Sequence, residues 1–191
     1  MNEITERKGA LRRLVLARRD AMDPAARAEA ALAIAAAADA ALAFPPGTVV
    51  SGFLPIRSEL DPRPLMALLS ARGARICVPA ITDGRLEFRE LWAEAEMEPQ
   101  GFGTYAPAAG AAVLDPAIML VPMVAFDARC HRMGYGRGYY DGAITALRAR
   151  GIVPVLAGLA LAVQEVPDVP TEAHDVALDV IVTERATHRR A

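Results

Sequence analysis

The sequence predicts an α/β protein whose sheet is mostly parallel, and three observations carry that expectation. Short runs rich in Val, Ile and Leu alternate with longer segments of helical spacing, as βα units do and as all-α or all-β chains do not. Pro, Gly and Asp signals bound these runs, ending one element and opening the next. At 191 residues, 53% of them hydrophobic, the chain has enough material for one sizeable core and little for two. Residues 1–191 are therefore expected to form one domain.

A first helix is expected from about Ile4 to Ala21, with arginines around an apolar stripe at Leu11, Leu14, Val15 and Leu16. Asp23-Pro24 then places a capping acid before a proline at the first helical position, opening a second helix. The alanine tract from Ala30 to Ala43 belongs to it, and Pro45-Pro46-Gly47 stops it. Its polar flanks and small side chains point to a helix packed closely on a neighbour rather than to a membrane span. Thr48 to Leu54 reads as a strand, and Asp61-Pro62 caps a helix to about Ala71. Arg75 to Pro79, Leu86 to Trp92 and the buried Ile118 to Pro122 read as strands. Tyr139 to Arg150 follows as a helix, Val153 to Leu159 as a strand and Asp179 to Thr183 as a last short strand. No internal repeat or break in composition marks a second unit.

A formal charge of −2 gives no global attraction for nucleic acid or anionic membrane, so partners must be sought locally. Cys77 and Cys130 are too few and too far apart for a disulfide scaffold or a zinc site. The N-terminus lacks a signal peptide's apolar core, and no apolar run is long enough to span a bilayer. A soluble, reduced, cytoplasmic protein is expected.

The chemistry concentrates in Arg132-Met-Gly-Tyr-Gly-Arg-Gly-Tyr-Tyr-Asp141, where ten residues hold three alternating glycines and three of the chain's four tyrosines. Glycines at 134, 136 and 138 allow positive φ and close approach, so that successive N–H groups can converge on phosphate oxygens. Arg132 and Arg137 add charge-assisted donors, and Asp141 is placed to hold a hydrated cation. The alternative is a mobile glycine loop between a strand and a helix. A Walker A loop would need a lysine, and a dinucleotide fingerprint would need its third glycine one residue later. The run from Arg137 to Tyr140 lacks the remainder of an RNA-recognition strand, so no nucleic-acid partner is expected.

Twenty of the twenty-one basic residues are arginine, and Lys8 is the exception. A compact ammonium suits a phosphate as a point charge where a wide guanidinium fork does not. Lys8 and Arg12 are four residues apart and share a helix face. His131 and His174 flank these segments and are given no catalytic role.

Lys8 with Arg12, Phe53-Leu54-Pro55 with Glu59, Gly101-Phe102-Gly103 and the Arg132 to Asp141 loop together resemble the 5-formyltetrahydrofolate cyclo-ligase, or methenyltetrahydrofolate synthetase, family nearly end to end. The resemblance implies a three-layer α/β/α sandwich of the kind shared with NagB, ribose-5-phosphate isomerase and CoA transferases. It implies that ATP and Mg2+ are used to convert 5-formyltetrahydrofolate to 5,10-methenyltetrahydrofolate. Lys8, Arg12, Arg132, Gly134, Tyr135, Gly136, Arg137, Gly138, Tyr139 and Tyr140 would then bind ATP, with Lys8, Arg137 and Tyr140 catalytic. Leu54, Glu59, Phe102, Tyr135 and Tyr139 would contact the folate, and Asp141 and Asp175 would hold magnesium. A monomer with reduced folate and ATP as its partners is implied. The chain departs from the family pattern at Ala106-Pro107, where an acid usually precedes the proline. Two alternatives stay open: a divergent relative with another small substrate, and a nucleotide- or folate-binding regulator without turnover.

Overall fold

The structure is a computed structural model that describes residues 3–101 and 104–190. Its elements run α1 (Glu3–Asp20), α2 (Pro24–Ala41), β1 (Val49–Ser51), α3 (Arg63–Ala71), β2 (Arg75–Thr82), β3 (Arg85–Glu90), β4 (Met97–Gly101) and β5 (Thr104–Pro107). There follow β6 (Ile118–Val121), β7 (Ala125–Phe126), β8 (Arg132–Met133), α4 (Tyr139–Ala149), β9 (Val155–Leu159), a 3-10 turn η1 (Ala162–Gln164), β10 (Val180–Val182) and β11 (Thr187–Arg189). Seven strands form one sheet in the order β11-β10-β9-β6-β1-β2-β3. The five central strands are parallel, and β3 and β11 close the two edges in antiparallel pairing. The mostly parallel α/β expectation holds.

Alternate residues of each central strand face opposite sides, and the two sets meet different helices. Ile76 and Val78, Ile118 and Leu120, Ala157 and Leu159, and Val180 and Val182 point to one face, where Ala31, Ile34, Ala35 and Ala38 of α2 and Leu65 and Leu69 of α3 cover them. Cys77, Met119, Val121, Leu156 and Ile181 point to the other, against Ala143, Ile144 and Leu147 of α4. The result is helix, sheet, helix. The alanines let α2 lie close, as expected, and truncating the fully buried Ile34 to Ala would cost about 2–5 kcal/mol. Asp23 caps α2 by accepting from the N–H groups of Ala25 and Ala26 at 2.9 and 3.1 Å, with Pro24 in the first turn. Gly158 in β9 is a packing glycine, since a Cβ there would lie 2.5 Å from Met123 and 2.6 Å from Leu178.

Several expectations need correction. The first strand spans three residues, not the seven from Thr48 to Leu54, because the chain leaves the ladder at Gly52 to enter the loop that carries Glu59. Leu14 is exposed, at 50%. The inward strip of α1 is Lys8, Arg12, Val15 and Arg19, spaced four, three and four apart, with Val15 and Arg19 buried and the other two half-buried, and Leu14 falls about 100° away from Val15 around the helix. Strands β2 and β3 form a hairpin through Asp83-Gly84, both at positive φ (50° and 73°), as a two-residue Asp-Gly turn requires. The ribbons β4–β5 and β7–β8 and the edge strand β11 lie outside the expected elements. Ala106, at the departure from the family pattern, is fully buried in β5 opposite Glu98.

Candidate active site

A cleft of about 810 Å³ opens where the chain leaves the carboxyl ends of β1, β2 and β6. Its volume lies within the roughly 300–1,000 Å³ typical of small-ligand sites, at the end of a parallel sheet where ligands bind. The linker after β1 supplies Leu54 and Glu59, α1 supplies Lys8 and Arg12, and the glycine loop supplies Arg132 to Asp141. The segment before β10 adds Glu172, His174 and Asp175. Every site residue expected from sequence therefore lines this cleft, save Phe102, which lies outside the described residues.

Lys8 is only 14% exposed in its side chain and pairs with Asp175 Oδ2 at 2.6 Å and Glu172 Oε2 at 2.8 Å. Burial pulls the ammonium's pKa down, but the hydrogen bonds from Asp175 and Glu172 outweigh it, and the pKa lies above its ordinary value. Burial likewise pushes the Asp175 carboxyl up, while Lys8 and the Glu172 N–H, 2.8 Å away, bring it below the ordinary range. One turn along α1, Arg12 donates through Nε to the Gly134 carbonyl at 2.9 Å. A Cβ on Gly136 would stand 3.3 Å from Arg12 Nη2. Gly136 (φ 93°) and Gly138 (φ 66°) adopt conformations that L side chains resist, and Gly138 opens α4 without a side-chain cap. Gly134 is not at positive φ, against expectation, because its carbonyl faces Arg12 in ordinary backbone geometry.

Arg132 is 8% exposed and donates to Asp141 Oδ1 from both terminal nitrogens at 3.1 Å, and to the Val176 carbonyl at 2.7 Å. The Val176 N–H also donates to Asp141 Oδ1, at 3.0 Å. Asp141 is thus no solitary cation-binding acid, since its Oδ1 is shared by Arg132 and the Val176 N–H. Arg137 lies exposed on the rim and Tyr139 half-buried beside it. Among the described residues the buried Tyr140 hydroxyl has no hydrogen-bond partner, and burial drives its pKa far above the usual tyrosine value.

Glu59 is pinned by a tight turn. Its N–H donates to the Ile56 carbonyl at 3.0 Å, and its Oε2 accepts from the Ile56 N–H at 3.0 Å. Burial raises the Glu59 pKa, opposed by the Ile56 hydrogen bond, the Arg19 charge and the Tyr135 hydroxyl. Burial also raises Tyr135, whose hydroxyl accepts from Arg19 Nη2 at 2.8 Å. Cys77 is fully buried, and desolvation pushes its thiol up to about 12, so it offers no nucleophile.

Sequence reasoning missed Glu172 and Arg19. Glu172 sits two residues beyond Pro170 in a segment without periodicity, and Arg19 is one of five arginines on α1, with no local signal separating it from Arg18.

Comparison with known proteins agrees with the geometry. The sequence matches the model of the 5-formyltetrahydrofolate cyclo-ligase family over residues 4–184. The 5-formyltetrahydrofolate cyclo-ligase of Haemophilus influenzae is 30% identical over 132 residues, covering 65% of this chain and 70% of that protein. That of Escherichia coli K12 is 29% identical over 157 residues, covering 77% and 85%. The NMR structure of Aquifex aeolicus 5,10-methenyltetrahydrofolate synthetase superposes with a TM-score of 0.78 at 25% identity, covering 95% of this chain and 92% of that one. The Mycoplasma pneumoniae 5,10-methenyltetrahydrofolate synthetase gives 0.73 at 22% identity over 93% and 98%, which bears on the fold alone. Because the match runs unbroken from α1, which carries Lys8, to the end of β10, past Asp175, the chain belongs to the 5-formyltetrahydrofolate cyclo-ligase family.

Proposed function

We propose that the protein converts 5-formyltetrahydrofolate and ATP to 5,10-methenyltetrahydrofolate, ADP and phosphate, acting as a cytoplasmic single-domain monomer. The observation that carries this reading is the convergence of Lys8, Arg12, the glycine loop and Glu59 on one cleft. Polyphosphate chemistry and a polar anchor for a heterocycle thereby share one space.

The N5-formyl group is an amide, so its oxygen is a poor leaving group. Attack of that oxygen on the γ-phosphate, with ADP leaving, forms an iminium phosphate. N10 then attacks the formyl carbon, its proton is lost, and phosphate departs as the methenyl bridge closes. Such chemistry asks the protein for alignment and charge stabilisation rather than a nucleophile. Lys8, Arg12 and Arg137 supply positive charge, and the N–H groups around Gly136 and Gly138 supply the cradle. Tyr140, whose buried hydroxyl has no partner among the described residues, offers a donor to the reacting groups. Glu59 meets the pterin N–H groups with its carboxylate, and Leu54, Tyr135 and Tyr139 form the apolar wall beside it.

The carboxylates fit magnesium. Among the described residues no group of three or more His, Cys, Asp or Glu side chains gathers as a metal cage. Mg2+ normally takes one or two carboxylates and completes its shell with phosphates and water. Asp141 and Asp175 would hold it, and bound there it would neutralise charge on the phosphates. The experiment is ATP-dependent appearance of the methenyl chromophore from 5-formyltetrahydrofolate. Absence of the chromophore with a folded, ATP-binding protein would turn the reading to another substrate.

A further inference from the structure

We infer that Arg19 is a positioning residue that sets the charge state of Glu59 through Tyr135, and so fixes the pH range in which the folate is bound. The inference rests on Glu59 as the folate contact. Arg19 is 1% exposed, and its hydrogen bonds go to hydroxyls rather than to a carboxylate. Nη2 donates to the Tyr135 hydroxyl at 2.8 Å, and Nε to Ser58 Oγ at 3.1 Å. Burying a guanidinium without a carboxylate beside it is costly, so the arrangement calls for a use.

The use lies one bond further out. Having accepted from Arg19, the Tyr135 hydroxyl has its own proton to offer, and Glu59, which lines the same cleft, is a carboxyl whose burial-raised pKa that hydroxyl opposes. Ser58, the neighbour of Glu59 in sequence, relays the second arm of Arg19 to Asp20 in the same way. The guanidinium therefore grips both the backbone turn that carries Glu59 and the hydroxyl that faces it. Arg19 does not line the cleft, so it acts on the ligand only through these two residues.

The groups facing Glu59 are Arg19 from α1, with Asp20 behind Ser58, Tyr135 from the glycine loop and Tyr140 from α4. Both tyrosines are pushed above their ordinary values by burial and stay neutral below alkaline pH. Arg19 is then the one permanent positive charge opposing the desolvation of Glu59. Without it the Glu59 pKa rises, the carboxylate is lost on acidification sooner, and pterin N–H groups lose their acceptor.

The test is calorimetric titration with 5-formyltetrahydrofolate, and separately with ATP, from about pH 5.5 to 8.5 on wild type, Arg19→Gln, Arg19→Lys, Tyr135→Phe and Glu59→Gln. In Arg19→Gln the midpoint of the folate-affinity profile is expected to move up by about one pH unit, a loss of about tenfold at the acid end that recovers toward the alkaline end. Tyr135→Phe should move it in the same direction, Arg19→Lys less, and Glu59→Gln should flatten it, while ATP affinity stays unchanged in the two Arg19 variants. A loss equal at every pH in Arg19→Gln marks a merely structural residue and overturns the inference. So does an unmoved profile in Tyr135→Phe, which keeps the test open should Arg19→Gln fail to fold. Wild type that binds no 5-formyltetrahydrofolate at any pH would instead strike the proposed function itself.

Discussion

Both terminal nitrogens of Arg132 lie 3.1 Å from the same oxygen of Asp141, so one carboxylate atom anchors the first residue of the glycine loop to the last. Read from sequence, Asp141 is an acid free to hold a cation. In the fold it also fixes a nearly buried arginine. Asp141→Asn is therefore expected to abolish most turnover and, in addition, to destabilise the protein by about 1–3 kcal/mol, because Arg132 is left without its charged partner. Denaturant unfolding beside the chromophore assay checks this. Lost activity with unchanged stability would show the pair to be structurally idle.

Lys8→Arg keeps the charge but must fit a planar fork between carboxylates that lie 2.6 and 2.8 Å from the present ammonium. Turnover with ATP is expected to fall by about 10- to 100-fold from misplacement of the reacting groups. Folate affinity should be untouched. Wild-type kinetics in this variant would make Lys8 an ordinary cation.

Glu59→Gln should weaken folate binding yet stabilise the ligand-free protein near neutral pH. The sign follows from the raised carboxyl pKa. Ionising Glu59 in the folded chain costs more than in the unfolded chain, so stability is fully present below the ordinary value of 4.5 and is lost as pH rises through the elevated folded value. Glutamine avoids that loss. Melting curves for the two proteins should coincide below about pH 4 and separate in favour of the variant above it. Curves that separate in the opposite sense would refute the burial argument.

Tyr140→Phe removes a buried hydroxyl that has no partner among the described residues. An unpaired buried polar group costs about 1–3 kcal/mol, so the melting temperature should rise by at least about 2–4 °C. Turnover should fall if the hydroxyl serves the reacting groups. A variant both more stable and fully active would remove Tyr140 from the catalytic assignment.

The parallel core was legible because its signals are local: hydrophobic runs such as Ile118 to Val121, and punctuation such as Asp23-Pro24. The short ribbons were not, since β7 and β8 have two residues each and carry no period. Asp83-Gly84 did hold a hairpin signal in its own turn chemistry. The cleft was legible in outline from the glycine loop, whereas the pairing of Lys8 with residues 164 and 167 positions away depends on tertiary closure that no local pattern encodes. Arg19 is hidden for the same reason. Its partners Ser58 and Tyr135 lie 39 and 116 residues along the chain.

The buried face of α1 has consequences for how the chain is made. Val15 packs on Val124, Ala125, Met133, Val166 and Val169, Arg12 reaches Gly134, and Lys8 reaches Glu172 and Asp175. A ribosome adding about 5–20 residues per second needs on the order of 10–30 s to travel from Asp20 to Asp175. During that interval Ser58, Val124, Met133, Gly134 and Tyr135 appear for Arg19, Val15 and Arg12 to meet, but Lys8 has neither of its acids. The seat of Lys8 is therefore completed last, and a nascent chain stopped short of Glu172 would carry the glycine loop but not the acids that hold its lysine.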